Sequence, residues 1–225
     1  MTTAAYIFDV EGTLVDSVPQ TLTSWREALL AHGHDVPIAR LQAYSGMDGN
    51  DLLKALLPDL ESAQRKAILE AQGERFEREY LSTVKPFPGV QATLQSLRAS
   101  GRHLALATDC KGASLRHYRQ ALQIDGLLDA VASGEEVPEG KPDPRLVQHA
   151  LDKLELPAAS CVMIGDTPYD ARAATAAGVP CIGVLTGGFA RGELLAAGCV
   201  DVAADVRDAA SLLAREDPVA RARRA

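Results

Sequence analysis

The stretch Ala4-Ala5-Tyr6-Ile7-Phe8-Asp9-Val10-Glu11-Gly12-Thr13-Leu14-Val15-Asp16 decides the fold. It opens as a short apolar run, the pattern of a buried strand. The run stops at two carboxylates, Asp9 and Glu11, two residues apart. Gly12 lets the backbone turn close to whatever sits there. Thr13 adds a hydroxyl and a backbone donor. A strand whose C-terminal end delivers acids into a turn is where an open α/β sheet places its ligand.

Beyond this stretch, Ser17-Val18-Pro19-Gln20 reads as a helix start, with Ser17 as cap, Pro19 in the first turn and Gln20 closing a capping box. Helical patterning runs through Leu22, Trp25, Leu29 and Leu30 to Gly33, then around Leu52 to Leu57, then from Ser62 to about Tyr80. A wholly helical block is an interruption in a chain whose other units alternate. Pro86-Phe87-Pro88-Gly89 marks the return. From there the spacing predicts a helix over 90–100 and a strand over 103–108. A helix follows near 114–122, with a short strand at 130–132. Asp143-Pro144 starts another helix, Asp143 as cap and Pro144 at the first helical position. Next come a strand over 161–165, a helix over 168–177, strands over 180–185 and 200–203, and a closing helix near 206–213. Residues 221–225 read as a frayed tail. The expected fold is α/β: a doubly wound parallel sheet formed by residues 1–16 and 86–225, with an all-helical cap domain inserted as residues 17–85.

The bulk properties narrow the function classes. A chain of 225 residues suits one large domain or a domain with an insertion. Its net charge of −7 argues against a broad nucleic-acid surface. An acidic protein that binds anions must concentrate positive charge locally, often with a metal's help. No apolar run approaches the roughly 20 residues a membrane span needs. Met1-Thr2-Thr3 leads straight into the first strand, so no secretory leader is expected. The four cysteines (Cys110, Cys161, Cys181 and Cys199) show no CxxC pairing and read as reduced core thiols, which points to the cytoplasm. His32, His34, His103, His117 and His149 lack metal-ligand spacing.

Four polar clusters follow apolar runs: Asp9 with Glu11, Thr108-Asp109, Lys141 in Gly140-Lys141-Pro142-Asp143-Pro144, and Asp166 with Asp170 in Ile164-Gly165-Asp166-Thr167-Pro168-Tyr169-Asp170. Each has an ordinary reading when taken alone. Asp170 could simply be a first-turn acid. Lys141 could be a solvated loop charge, and Thr108-Asp109 a turn. Glu135, Glu136 and Glu139 read as a solvated loop face, and Trp25 as cap core. The conjunction of the four clusters is what points to a site.

Asp9-Val10-Glu11-Gly12-Thr13 resembles the first motif of the haloacid dehalogenase-like hydrolases, whose usual form is Asp-x-Asp-Gly-Thr. The other three clusters occur in the order that superfamily uses. The similarity spans nearly the whole chain, and 45–53 and 183–189 resemble the phosphoglycolate-phosphatase-like group with a helical cap. The resemblance implies Mg²⁺ held by Asp9, the backbone carbonyl of Glu11, and Asp166, with Asp170 holding a metal-bound water or orienting Lys141. It implies that Asp9 attacks phosphorus and that Glu11 acts as general acid and base. Lys141 would balance charge, and Thr108 would donate to a phosphate oxygen. Gly12 and Thr13 would help bind the phosphate beside Asp109 and Lys141. Hard oxygen ligands suit magnesium, and phosphate esters demand charge neutralisation and positioning.

Two residues depart from the pattern. Glu11 stands where Asp is usual, and its extra methylene extends the carboxylate by about 1.5 Å. Enolase-phosphatases of the same superfamily also carry Glu there. Asp109 stands where Asn or Ser is commoner, and an added acid near phosphate is unhelpful unless it faces away or binds a cation. The leading expectation is a Mg²⁺-dependent phosphatase of a small phosphorylated metabolite, acting as a monomer or homodimer. Arg26, Arg40, Ser45, Gly46, Met47, Asp48 and Asn50 are candidates for choosing that substrate, and Lys111 for reaching the phosphate. A phosphomutase or phosphotransferase is the alternative enzyme, although related sugar phosphomutases replace the motif's Thr with a bulkier apolar residue and Thr13 is retained. A phosphonate hydrolase would need a cap lysine near Gly46-Met47. A dehalogenase would lack the acid at Glu11. A catalytically weak phosphate-binding regulator is the non-enzymatic reading.

Overall fold

The computed structural model describes residues 3–215, so the tail expected to fray lies outside them. The elements run β1 (Ala5–Phe8), β2 (Val15–Asp16), α1 (Val18–Ala31), α2 (Ile38–Gln42), α3 (Gly49–Leu56) and α4 (Ser62–Arg75). A π-helical stretch, Phe76–Tyr80, continues α4. Then come β3 (Lys85–Pro86), α5 (Val90–Ala99), β4 (His103–Thr108), α6 (Gly112–Leu122), β5 (Ala130–Ser133) and α7 (Arg145–Leu154). The chain continues through β6 (Cys161–Gly165), α8 (Pro168–Ala176), β7 (Cys181–Val184), α9 (Arg191–Ala196), β8 (Cys199–Ala203) and α10 (Val206–Arg215).

Six strands form one sheet in the order β5-β4-β1-β6-β7-β8, and every neighbouring pair is parallel. Both faces are covered, so the central strands are apolar throughout rather than alternating. All four residues of β1 and all five of β6 are buried. One face packs Tyr6, Phe8, Leu104, Leu106, Val162 and Ile164 with α5, α6 and α10. The other packs Ala5, Ile7, Ala105, Cys161 and Met163 against α7 and α8. Small residues dominate this second face and let the helices approach closely. β1 has β4 on one side and β6 on the other, so the strand order reverses around it. That reversal opens a crevice at the carboxyl ends of these three strands.

The helical insertion carries a core of its own. Leu22, Trp25, Leu29, Leu41, Leu53 and Ile68 belong to one buried cluster drawn from α1 through α4. Phe76, Leu81 and Val84 pack instead into the sheet's core, so the last turns before the return belong to both layers. β2 and β3 pair antiparallel, Val15 with Pro86 and Asp16 with Lys85, and tie the two crossings into a ribbon at the root of the insertion.

Local details correct several expectations. Ser17 does not cap α1 through its side chain, and the box with Gln20 does not form. α7 begins at Arg145 rather than Pro144, and Asp143 accepts from the Arg145 N–H at 3.0 Å. Glu136 is no idle loop charge: it accepts from the Ser133 N–H at 3.0 Å and from the Lys153 ammonium and so fastens β5 to α7. β2, β3, α2 and α9 were absent from the sequence reading.

Candidate active site

Three strand ends converge. Asp9 follows β1 directly, and its N–H donates to the Ile164 carbonyl of β6 at 3.0 Å. Thr108 ends β4, and Asp166 follows β6. Because β1 lies between β4 and β6, the polar residues that terminate these runs must meet. After Asp9 the chain folds sharply: the Leu14 and Val15 N–H groups both donate to the Val10 carbonyl, at 2.8 and 3.1 Å. Gly12 takes φ +78°, the left-handed region a side chain would resist. A Cβ there would also strike the Asp166 carboxylate.

Lys141 sits at the centre. Its ammonium donates to Asp9 Oδ1 at 2.6 Å and to Asp170 Oδ1 at 2.7 Å, and all three side chains are buried. Burial alone would lower the ammonium's pKa, but Asp170, Asp9 and Asp109 outweigh it and hold the pKa well above the usual range. Asp170 has two tasks. One oxygen holds Lys141, and Oδ2 accepts from the Thr167 N–H at 3.0 Å and hydroxyl at 2.7 Å, closing the capping box of α8. The helix-start reading and the site reading of Asp170 are therefore one arrangement.

Asp109 explains itself by where it faces. Its carboxylate accepts from the Lys141 N–H at 3.2 and 3.3 Å and lies 3.8 Å from the ammonium. The unusual acid thus anchors the loop that carries Lys141. Gly140 is required beside it, since a Cβ there would collide with the same carboxylate. Thr108 is buried, and its hydroxyl oxygen accepts from the Cys110 N–H at 3.2 Å. The Thr13 hydroxyl donates to Asp166 Oδ1 at 2.6 Å. The Gly12 and Thr13 N–H groups donate to the Val15 and Val10 carbonyls, so these two residues spend their donors on the loop and on Asp166.

Glu11 is held by a residue the sequence reading missed. The Tyr118 hydroxyl, on α6, donates to Glu11 Oε1 at 3.2 Å, and Tyr118 is fully buried. Burial raises the Glu11 pKa, and the tyrosine's hydrogen bond offsets part of that rise.

Asp9, Asp166 and Asp170 each present a carboxylate oxygen, and these oxygens lie within 4.8 Å of one another. Burial, with Asp170 adding repulsion against the pull of Lys141, pushes Asp9 up to about 7. Burial and then the Asp170 and Asp9 charges push Asp166 well above the carboxylate range. One ammonium is shared among more acids than it can neutralise. The donor set is all hard oxygen, and it fits a divalent cation that would supply the missing charge. Gly187 packs against Asp166, where a Cβ would overlap the carboxylate.

These groups open into a cavity of about 490 Å³ between sheet and insertion. Its lining takes in Asp9, Glu11, Thr108, Asp109, Lys141, Asp166 and Asp170 from the core side, and Ser45, Gly46, Met47, Asp48 and Asn50 from the insertion. Lys111 also lines it. Arg26 and Arg40 do not: Arg26 lies 3.9 Å from Asp35, and Arg40 donates to the Leu56 carbonyl at 3.3 Å. Trp25 is buried in the insertion's core, as expected, and also edges the cavity.

The family profile described as haloacid dehalogenase-like hydrolase matches residues 6–184. The chain belongs to that family. It is 32% identical over 180 residues to a phosphoglycolate phosphatase of Nitrosospira multiformis, covering 77% of this chain and 79% of the relative. It is 35% identical over 196 residues to a phosphoglycolate phosphatase of Yersinia pestis, covering 84% and 83%. Among solved structures, a hydrolase from Pseudomonas syringae superposes with a TM-score of 0.88 at 30% identity, covering 94% of this chain and 98% of that one.

Proposed function

We propose that this chain is a Mg²⁺-dependent phosphatase of a small phosphorylated metabolite, with Asp9 as nucleophile and Glu11 as general acid and base. The observation that carries the reading is the buried Asp9–Lys141–Asp170 chain, with Asp166 beside it, in the cavity between sheet and insertion. The relatives named as phosphatases support the reaction class.

In the first half-reaction an Asp9 oxygen forms a bond to phosphorus while the bond from phosphorus to the alcohol oxygen breaks. Glu11 gives that oxygen its proton, and the burial that favours its protonated form suits the task. Lys141 steadies the charge that spreads over nucleophile and phosphoryl oxygens. In the second half-reaction Glu11 takes a proton from water, whose oxygen bonds to phosphorus as the aspartyl-phosphate bond breaks. Mg²⁺, held by Asp9, Asp166 and the Glu11 carbonyl and supported by Asp170, would neutralise the charge that keeps carboxylate and phosphate apart. The insertion, residues 17–85, acts as the cap that excludes bulk water. Four free, buried cysteines accord with a cytoplasmic location.

The test is phosphate release from an aryl phosphate and a panel of metabolite phosphates, with Mg²⁺ and with chelator. Metal-dependent release that is lost in Asp9→Asn supports the reading. Release unaffected by Asp9→Asn, or no release from any ester, overturns it.

A further inference from the structure

The charges around the cavity say what kind of alcohol can occupy it. Among the described residues that line it, the cations are Lys111 and Lys141, and both come from the sheet side. Lys141 is already paired with Asp9 and Asp170. The insertion contributes two charged residues to the lining, Asp48 and Glu77, and both are acids. The rest of its contribution mixes apolar side chains, among them Leu22, Trp25, Met47, Leu52, Leu69 and Phe76, with uncharged polar ones such as Ser45, Asn50 and Gln72.

A second observation comes from Ser17. It is 1% exposed, its hydroxyl has no hydrogen-bond partner, and it borders the same cavity. A buried hydroxyl left unpaired carries a free-energy penalty, which a polar atom that reached it would relieve. Being neutral, the hydroxyl serves an uncharged polar atom as well as any.

The relatives are named for phosphoglycolate, an ester whose alcohol half ends in a carboxylate. Holding that carboxylate calls for a cation opposite the phosphate, since a charge moved against apolar side chains loses its hydration without recompense. The insertion's charged contribution to the lining is two acids and no cation. An apolar body, by contrast, gains from the same side chains, and a ring can stack against Trp25 or Phe76.

Resting on the phosphatase reading above, we infer that the substrate is a phosphate monoester of an alcohol with an apolar body and no anionic group, rather than a phosphorylated hydroxy acid. The insertion selects it through its apolar side chains and through Asp48 and Glu77, which repel carboxylates.

Matched esters test this. Benzyl phosphate and 4-carboxybenzyl phosphate differ by one carboxylate, and in propyl phosphate an ethyl group stands where phosphoglycolate has its carboxylate. With Mg²⁺ present, kcat/KM is expected to favour the uncharged member of each pair by at least about tenfold, a tenfold ratio corresponding to about 1.4 kcal/mol. Glu77→Lys should narrow the benzyl pair's ratio by about tenfold while leaving Tm unchanged, because the residue is exposed. Calorimetric binding of benzylphosphonate and 4-carboxybenzylphosphonate, which cannot be hydrolysed, reads the same preference without turnover. Silence on every ester with selective binding of benzylphosphonate overturns the phosphatase reading and upholds this inference. Equal or reversed preference between the members of a pair overturns the inference, as does failure of both phosphonates to bind.

Discussion

Glu11 and Tyr118 form a matched length. The tyrosine hydroxyl lies 3.2 Å from Glu11 Oε1. Shortening Glu11 to Asp withdraws the carboxylate by about 1.5 Å, which carries the gap from 3.2 Å to about 4.7 Å, beyond any hydrogen bond. Tyr118→Phe removes the same contact from the other side and keeps the ring that fills the core. A buried hydrogen bond to a charged group is worth about 1.5–3 kcal/mol, which corresponds to about 10- to 100-fold if it is spent on aiming the acid. Tyr118→Phe should therefore lower kcat by that factor and leave KM within about twofold, because the hydroxyl helps aim the proton donor rather than bind substrate. Glu11→Asp should show a loss of similar size. The decisive comparison is the double variant. Once Glu11 is shortened, losing the hydroxyl should cost less than about twofold, so the two effects are far from additive. Steady-state kinetics on four proteins, with thermal melts to confirm folding, provide the reading. Equal losses from Tyr118→Phe in both backgrounds would make the tyrosine a packing residue and refute the reasoning.

Other consequences follow from the same geometry. Lys141→Met should abolish activity and lower stability by about 3–5 kcal/mol, because it strands buried carboxylates without their counter-charge; added Mg²⁺ should recover part of the lost Tm. Gly187→Ala should push the Asp166 carboxylate aside and raise the Mg²⁺ concentration needed for half-maximal thermal stabilisation by about tenfold, with a smaller change in metal-free Tm. Glu136 gives a pH signature away from the site. Burial would raise its pKa, but Lys153, the Ser133 N–H and His149 prevail and lower it to about 2. Its folded pKa lies below the unfolded one, so its contribution is complete above the ordinary glutamate range and fades as pH falls toward about 2. With its side chain 35% exposed, the contribution is screened to about 1 kcal/mol. The Tm gap between wild type and Glu136→Gln should thus be visible near neutral pH and close on acidification.

The sheet was legible because its strands are short, wholly apolar and ended by acids. β4 and β6 match the sequence reading residue for residue, and the residues after β1, β4 and β6 supply the polar floor. Signals of two residues cannot show periodicity, which is why β2 and β3 escaped notice. α2 and α9, at five and six residues, are too short to repeat a helical face. Ser17 illustrates a signal left unused: its residue type suits a cap, but its hydroxyl makes no cap hydrogen bond and stays buried and unpaired. Asp109 read as an oddity because its partner, the Lys141 N–H, lies 32 residues away. Tyr118 was invisible for the same reason, being 107 residues from the carboxylate it holds. Contacts made through the fold leave no local pattern. The substitution that drew attention, Glu for Asp, is accompanied by a distant tyrosine that only the packing of α6 against the first loop brings near.

The central claim is that Asp9 itself carries the phosphoryl group. A single turnover in heavy-oxygen water, followed by peptide mass analysis, tests it directly. If water attacks the phosphorus of an aspartyl-phosphate, the label enters the released phosphate in the first turnover. The Asp9 carboxylate then keeps the light oxygen that formed the ester, and an acid quench during turnover leaves a phosphoryl group on the peptide containing Asp9. A phosphopeptide that maps to Asp9 and is absent from Asp9→Asn is the predicted result. Multiple turnovers with no phosphoryl group trapped on Asp9, in an enzyme that still releases labelled phosphate, would mean that water attacks the substrate directly and would contradict the account.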